Sequence, residues 1–149
     1  MIQIIYSSQL GKTKSVANKL FKLLKGANIN VSEPISSKNI KQEQMNQDFI
    51  YLTSTFFDGD HPSSARKGGL LFAQTDQLKD LVKHKKFAVF GIGSSSHKKY
   101  NQASINADKI FAQLGGQRMI DLVKFDRASK DNIEDVLNKW VESISEKFK

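Results

Sequence analysis

The stretch IQIIYSSQLGKTKSVANKLFKLL, residues 2–24, decides how the chain is read. Ile2, Ile4, Ile5 and Tyr6 form a short apolar run of the kind buried in a parallel sheet. Ser7-Ser8-Gln9-Leu10-Gly11-Lys12-Thr13 then make a small, hydroxyl-rich turn. Val16, Ala17, Leu20, Leu23 and Leu24 follow at helical spacing on one face. A strand therefore passes through a short loop directly into a helix. The free N–H groups of such a helix start, with serine and threonine hydroxyls beside them, suit a phosphate dianion. The same segment also reads as an ordinary strand-to-helix turn capped by a hydroxyl, which needs no ligand. Gly11-Lys12-Thr13 matches the tail of a nucleotide-triphosphate loop, but the first glycine of such a loop falls at Tyr6, inside the strand.

Working outward, 149 residues and 16.8 kDa make one domain over 1–149, with enough chain for a real core. No apolar run is long enough to cross a bilayer, and Met1 leads straight into a strand, so neither a membrane span nor a signal peptide is expected. A cytoplasmic location follows as the default. The chain has no cysteine, which excludes disulfides, thiolate metal sites and thiol redox chemistry. Any electrons handled here must be carried by a bound cofactor. The net charge of +8 fits nucleic acid, an anionic membrane or an acidic protein partner. The lysines are spread along the chain rather than massed, and no recognition motif accompanies them, so nucleic-acid binding is not expected.

Gly26 is a plausible helix C-cap, and Ile29-Asn30-Val31 a brief second strand. Residues 32–47 read as loop with a short helix. Asp48-Phe49-Ile50-Tyr51-Leu52-Thr53 is a third strand, running into a loop from Ser54 to Pro62. Helical turns are expected near residues 65–72 and around Leu78, Leu81 and Val82. A fourth strand, residues 86–92, leads into a loop at Gly93-Ser94-Ser95-Ser96-His97-Lys98-Lys99-Tyr100-Asn101. A helix through Ala107, Ile110, Phe111 and Leu114 stops at Gly115-Gly116. A fifth strand is expected around residues 119–123. The last helix opens with Asp131-x-x-Glu134, a capping box, and carries Ile133, Val136, Leu137, Trp140 and Ile144 on its core side.

Strands alternating with helices mean a doubly wound α/β fold, a parallel sheet with helices on both faces. Ligands in such sheets sit at the carboxyl edge, where strand order reverses. The loops after the first, third and fourth strands should therefore share one site.

Ile4-Ile5-Tyr6-x-Ser8-x-x-Gly11-x-Thr13-x-x-x-Ala17-x-x-Leu20 resembles the flavodoxin signature. Ser54-Thr55-x-x-Asp58-Gly59-Asp60-x-Pro62 is similar to the flavin loop of the flavin mononucleotide (FMN) domains of diflavin and sulfite reductase flavoproteins, and of short MioC-like flavodoxins. Phe87-Ala88-Val89-Phe90-Gly91-x-Gly93 and Leu114-Gly115-Gly116-x-Arg118 extend the resemblance over nearly the whole chain. It implies a five-stranded sheet of order 2-1-3-4-5 and an FMN electron carrier working between a reductase and an acceptor protein.

By the same resemblance, Ser8, Gln9, Leu10, Gly11, Lys12 and Thr13 would hold the phosphate. Ser54, Thr55, Phe56, Phe57, Asp58 and Gly59, with Gly93, Ser94, Ser95, Ser96, His97, Tyr100 and Asn101, would hold the ring. Asp126 falls where these domains keep an acidic residue near the flavin. The chemistry agrees. An isoalloxazine ring wants aromatic surfaces, with stacking contributing on the order of 1 kcal/mol, and glycine- and serine-rich loops let backbone groups approach its polar edge.

Three departures stand out: Leu10 replaces a usual threonine, Phe57 a glycine, and His97 a stacking tyrosine. Phe57 resists the positive φ that glycine allows, and His97 titrates near neutral pH. Lys12, Lys14, Arg66, Lys67, Lys98 and Lys99 give the loops a basic rim, which fits a redox partner with an acidic docking surface. A monomer is expected. No His, Asp or Glu grouping has metal-ligand spacing, and no G-x-S-x-G elbow is present. Two other functions stay open: an interaction module that has lost its flavin, and an FMN reductase using a nicotinamide nucleotide.

Overall fold

A computed structural model describes residues 1–7, 12–37, 47–54, 82–93 and 102–148. Strand β1 is Ile2–Ser7, helix α1 Lys12–Gly26, β2 Val31–Ser36, β3 Asp48–Ser54 and β4 Lys86–Gly93. Helix α2 is Gln102–Gln113, β5 Gln117–Arg118, β6 Val123–Asp126 and helix α3 Ile133–Lys147. All strand pairs are parallel, in the order β2-β1-β3-β4, with β5 and β6 both on the far side of β4. This is the expected 2-1-3-4-5 arrangement, with its fifth place shared by two short segments.

The strands are apolar on both faces because helices cover both. Ile2, Ile4, Ile50, Leu52, Ala88, Phe90 and Ile92 face α1 and α3, meeting Ala17, Leu20, Leu24, Leu137, Trp140 and Ile144. Trp140 is core, as its spacing predicts, with its ring 5.0 Å from that of Phe90. The alternate residues Ile5, Phe49, Tyr51, Phe87 and Val89 face α2 and meet Ala107 and Phe111. Phe111 is the hub of this second layer, edge-on to Phe49 at 5.0 Å, to Tyr51 at 5.6 Å and to Phe87 at 5.6 Å. Such edge-to-face contacts set positive ring edges against negative ring faces.

Several boundaries differ from the sequence expectation, each for a local reason. The second strand begins at Val31 rather than Ile29, because residues 27–29 are used to stop α1. Asn28, not Gly26, takes the left-handed conformation (φ 61°). The Asn28 N–H donates to the Lys25 carbonyl and the Ile29 N–H to that of Leu24, the paired bonds of a Schellman stop. The second strand also continues through Pro34, which an edge position tolerates. One extra residue bulges there against β1, and the buried Gln3 amide donates to the exposed Glu33 carbonyl at 2.9 Å.

Gly115-Gly116 ends α2 as expected, with Gly115 at φ 92° and the N–H of Gly116 donating to the Phe111 carbonyl. The single fifth strand expected at residues 119–123 is instead two pieces. Gln117 and Arg118 pair with Lys86 and Phe87, while Val123 to Asp126 pair with Phe90 to Gly93. The second piece is offset by two residues relative to the first, so the chain leaves the ladder at residues 120–122, after the Met119 N–H donates to the Phe87 carbonyl at 2.9 Å. The N-cap of α3 is Asn132, whose side chain accepts from the Glu134 N–H at 2.8 Å, rather than Asp131. The Arg118 guanidinium grips Asp108 with two bonds of 3.0 and 2.8 Å, tying β5 to α2. The stretch 32–47, expected as loop with a short helix, instead opens as strand, since β2 runs on to Ser36 along β1; its residues 38–46, and the helices expected near 65–72 and 78–81, lie outside the described residues.

Two glycines make opposite predictions. A Cβ on Gly116 would lie 2.9 Å from both the Phe111 carbonyl oxygen and the Phe87 ring, whereas one on Gly26 meets nothing within 4 Å. Gly116→Ala is expected to cost about 1–3 kcal/mol in a urea unfolding titration. Gly26→Ala, at the end of a helix with no positive φ, is expected to be neutral or to gain up to about 1 kcal/mol.

Candidate functional site

The register of the sheet brings its carboxyl ends level. Ser7 pairs with Thr53, Ser54 with Ile92, and Gly93 with Asp126. The segments that continue from β1, β3 and β4 thus start side by side, one strand spacing apart (roughly 5 Å). Order reverses between β1 and β3, since β2 lies on the other side of β1. This edge is the place where an open parallel sheet presents a ligand.

Of the residues expected at the site, Lys12, Thr13, Ser54, Gly93 and Asp126 are described, and all lie at this edge. Lys12 opens α1 and is exposed, Ser54 is half-buried at the end of β3, and Gly93 is buried at the end of β4. The Gly93 carbonyl accepts from the Arg127 N–H at 2.7 Å. Asp126 stands beside it, its carboxylate accepting from the Ala128 N–H at 2.9 Å and its carbonyl from the Ser129 hydroxyl at 2.7 Å. Asp126 is therefore held by a turn, pre-set in orientation. Ser8, Gln9, Leu10, Gly11, Thr55, Phe56, Phe57, Asp58, Gly59, Ser94, Ser95, Ser96, His97, Tyr100 and Asn101 lie outside the described residues.

Thr13 is the most informative of the five. It sits in the first turn of α1, is 1 % exposed, and its hydroxyl has no hydrogen-bond partner among the described residues. A buried hydroxyl left unpaired is costly, so this group is built to bond something. The first turn of α1 carries no acidic residue, and it carries Lys12 and Lys14 instead. Lysines there oppose the helix macrodipole, an arrangement that an anion reverses in sign. A buried hydroxyl with no partner among the described residues, the N–H groups of a helix start and two ammonium groups fit the phosphate of a mononucleotide.

Sequence reasoning missed a second set of polar groups under the same edge. Ser7, Ser37, Tyr51 and Thr53 are all buried, and the Ser7 hydroxyl bonds both Ser37, at 2.6 Å, and the Tyr51 phenol. Strand parity was the available signal: residues 51 and 53 share a face, and Ser7 is opposite Thr53. Among the described residues no group of His, Asp or Glu is placed to hold a metal ion, and no helix is long and apolar enough to cross a membrane.

The flavodoxin family model matches residues 4–140. The chain belongs to the flavodoxin family. Among its relatives is the sulfite reductase [NADPH] flavoprotein alpha-component of Neisseria meningitidis serogroup C, 29 % identical over 97 % of this chain and 23 % of that protein. Another is NADPH-dependent diflavin oxidoreductase 1 of Schizosaccharomyces pombe, 26 % identical over 93 % of this chain and 24 % of that protein. The chain spans about a quarter of the length of these relatives. Oxidised flavodoxin 1 from Bacillus cereus superposes with a TM-score of 0.78 at 18 % identity, covering 97 % of both chains. A Fusobacterium nucleatum flavodoxin variant bound to flavin mononucleotide superposes with a TM-score of 0.80 at 17 % identity, covering 99 % of this chain and 96 % of that one.

Tyr51 gives this flavodoxin an alkaline signature. Burial pushes its phenol up to about 12, with hydrogen bonds to Ser7 and Thr53 pulling weakly the other way. An unfolded tyrosine titrates near 10, so between these values the native state keeps a proton that the unfolded chain releases. The stability involved is fully present below pH 10 and is lost as pH rises toward 12, amounting to roughly 2–3 kcal/mol. Urea midpoints measured from pH 9 to 12 should fall accordingly, and Tyr51→Phe should remove that part of the fall.

Proposed function

We propose that this chain binds FMN at the carboxyl edge of its sheet and passes electrons between a reductase and an acceptor protein. The observation that carries the reading is the buried Thr13 hydroxyl, without a partner among the described residues, at the start of α1 next to Lys12 and Lys14. Family membership and a relative that is a sulfite reductase flavoprotein support it.

In this reading Ser8, Gln9, Leu10, Gly11, Lys12 and Thr13 hold the phosphate, with the Leu10 backbone N–H serving where its side chain offers no hydroxyl. The 54–59 and 93–101 segments hold the ring, Phe56, Phe57, His97 and Tyr100 supplying flat surfaces. Asp126, held by its own turn, adds a fixed negative charge at the same edge. FMN supplies the one- and two-electron chemistry, and the protein holds it, orients it and sets its electrostatic surroundings. The carrier is read as a cytoplasmic monomer, working either alone or as the FMN domain of a larger reductase.

The partner is read as acidic. Every charged side chain of α1 is a lysine, and Lys12, Lys14, Lys19, Lys22 and Lys25 are all exposed. No Asp or Glu precedes Glu33 in the chain. Only Lys19 has a described ion-pair partner, Glu134 at 3.8 Å, on a wet surface where such a pair is worth little. The helix thus presents a one-signed face that begins at the site, the arrangement that speeds encounter with an oppositely charged partner.

Flavin titration tests the reading first. FMN is expected to bind at least about tenfold more tightly than riboflavin, and Thr13→Val to weaken FMN by about fivefold to twentyfold while leaving riboflavin nearly unchanged. Equal affinity for the two flavins would overturn the phosphate site. Charge is tested by stopped-flow oxidation of the reduced protein with ferricyanide, an anion. The rate should fall as salt rises, and Lys12→Glu with Lys14→Glu should slow it by about threefold to tenfold at low ionic strength.

A further inference from the structure

Four hydroxyl groups lie buried under the site, and the function proposed above makes no use of them. Ser7 bonds Ser37 at 2.6 Å and also bonds the Tyr51 phenol, while the Thr53 hydroxyl beside them donates to the Ser54 carbonyl at 3.3 Å. Ser7, Tyr51 and Thr53 are fully buried and Ser37 nearly so. They come from three neighbouring strands: Ser37 follows β2, Ser7 ends β1, and Tyr51 and Thr53 belong to β3. The surroundings are apolar, with Ile5, Phe49, Val89 and Phe111 in the same cluster.

Hydroxyls in such a place gain little net stability, because the bonds they make replace bonds to water and an apolar residue of similar shape packs as well. What they add is direction. Ser7–Thr53 is the last described pair of the backbone ladder between β1 and β3. The hydroxyl chain sits at that pair. Its ring is fixed from the other side, since Tyr51 meets Phe111 of α2 edge-on at 5.6 Å and 88°. Ser7 directly precedes the 8–11 segment, and Thr53 directly precedes Ser54 and the segment that follows it. The Ser7–Tyr51 bond therefore ties the start of the segment read as the phosphate loop to β3, shortly before the start of the segment read as the flavin loop.

We propose that the Ser37–Ser7–Tyr51 hydroxyl chain is a positioning device that refines the spacing of those two loops, with Tyr51 as its positioning residue on the β3 side. This rests on the FMN-binding reading. Without the phenol, Ser7 keeps only Ser37, and the side-chain tie between β1 and β3 is lost while the backbone pairing of Ser7 with Thr53 stays. The ligand, which must touch both loops at once, then meets them at the right spacing for only part of the time.

The test measures FMN affinity by quenching of flavin fluorescence, and urea stability alongside, for the whole chain and four variants. Tyr51→Phe and Ser7→Ala are each expected to weaken FMN about fivefold, and the double variant no more than the weaker single, because either change breaks the same chain. Val89→Ala, in the same core layer but without a hydroxyl, is expected to lose at least as much stability while FMN affinity stays within about twofold of wild type. Ser37→Ala, which removes only the outer hydroxyl, should weaken FMN by about twofold and serves if a more central variant fails to fold. Wild-type affinity in Tyr51→Phe and Ser7→Ala would overturn the proposal. So would a loss of affinity in Val89→Ala that scales with lost stability. A wild-type protein that binds no FMN would instead overturn the flavin reading itself, before any variant is compared.

Discussion

Six consecutive residue pairs, from Ile2 with Asp48 to Ser7 with Thr53, hold β1 against β3 without a slip, and the rest of the structure depends on that register. A slip by one residue would exchange the faces of the strand, moving Ile4 out of the α1–α3 layer and Ile5 out of the α2 layer. The same register sets the carboxyl ends level, so that three chain segments depart from neighbouring points. Site and core are thus two consequences of one ladder.

The two layers differ in kind. The layer under α1 and α3 is mainly aliphatic, with Trp140 against Phe90. The layer under α2 is aromatic, with Phe111 meeting three rings edge-on. The aromatic side leads at its carboxyl end into the buried hydroxyls, and the aliphatic side carries the helix whose first turn holds Thr13. A ring cluster below one loop origin and a helix start at the other give the candidate site its floor.

The sheet order, the strand–helix alternation and the core faces of all three described helices were legible in the sequence, because burial on both sides of a parallel strand leaves apolar runs and helical spacing leaves stripes. Strand ends were less so. Ile29 is apolar and reads as strand, yet its N–H closes the end of α1, a use that hydropathy does not encode. Met119 to Leu122 read as strand too, yet after the Met119 N–H the chain leaves the ladder, because β5 and β6 pair with β4 two residues out of step. The candidate site as read from sequence, the turn before Lys12 and the ends of β3 and β4, carries its signal in Gly, Ser and Thr. The hydroxyls of Ser7, Ser37 and Tyr51 carry no such signal, since each residue alone is unremarkable.

The order of strands and the family were therefore set by local pattern, apolar runs and helical stripes, and the same pattern, with a hydroxyl-rich turn at a helix start, led to the candidate site. Only the tertiary structure decided that Thr13 is buried without a described partner, that Asp126 lies beside Gly93, and that hydroxyls 30 and 44 residues from Ser7 close on it in one chain. The reason is physical. Periodicity tells which face a residue takes on its own strand, whereas hydrogen bonding between strands depends on register, and register is fixed by the packing of the whole sheet.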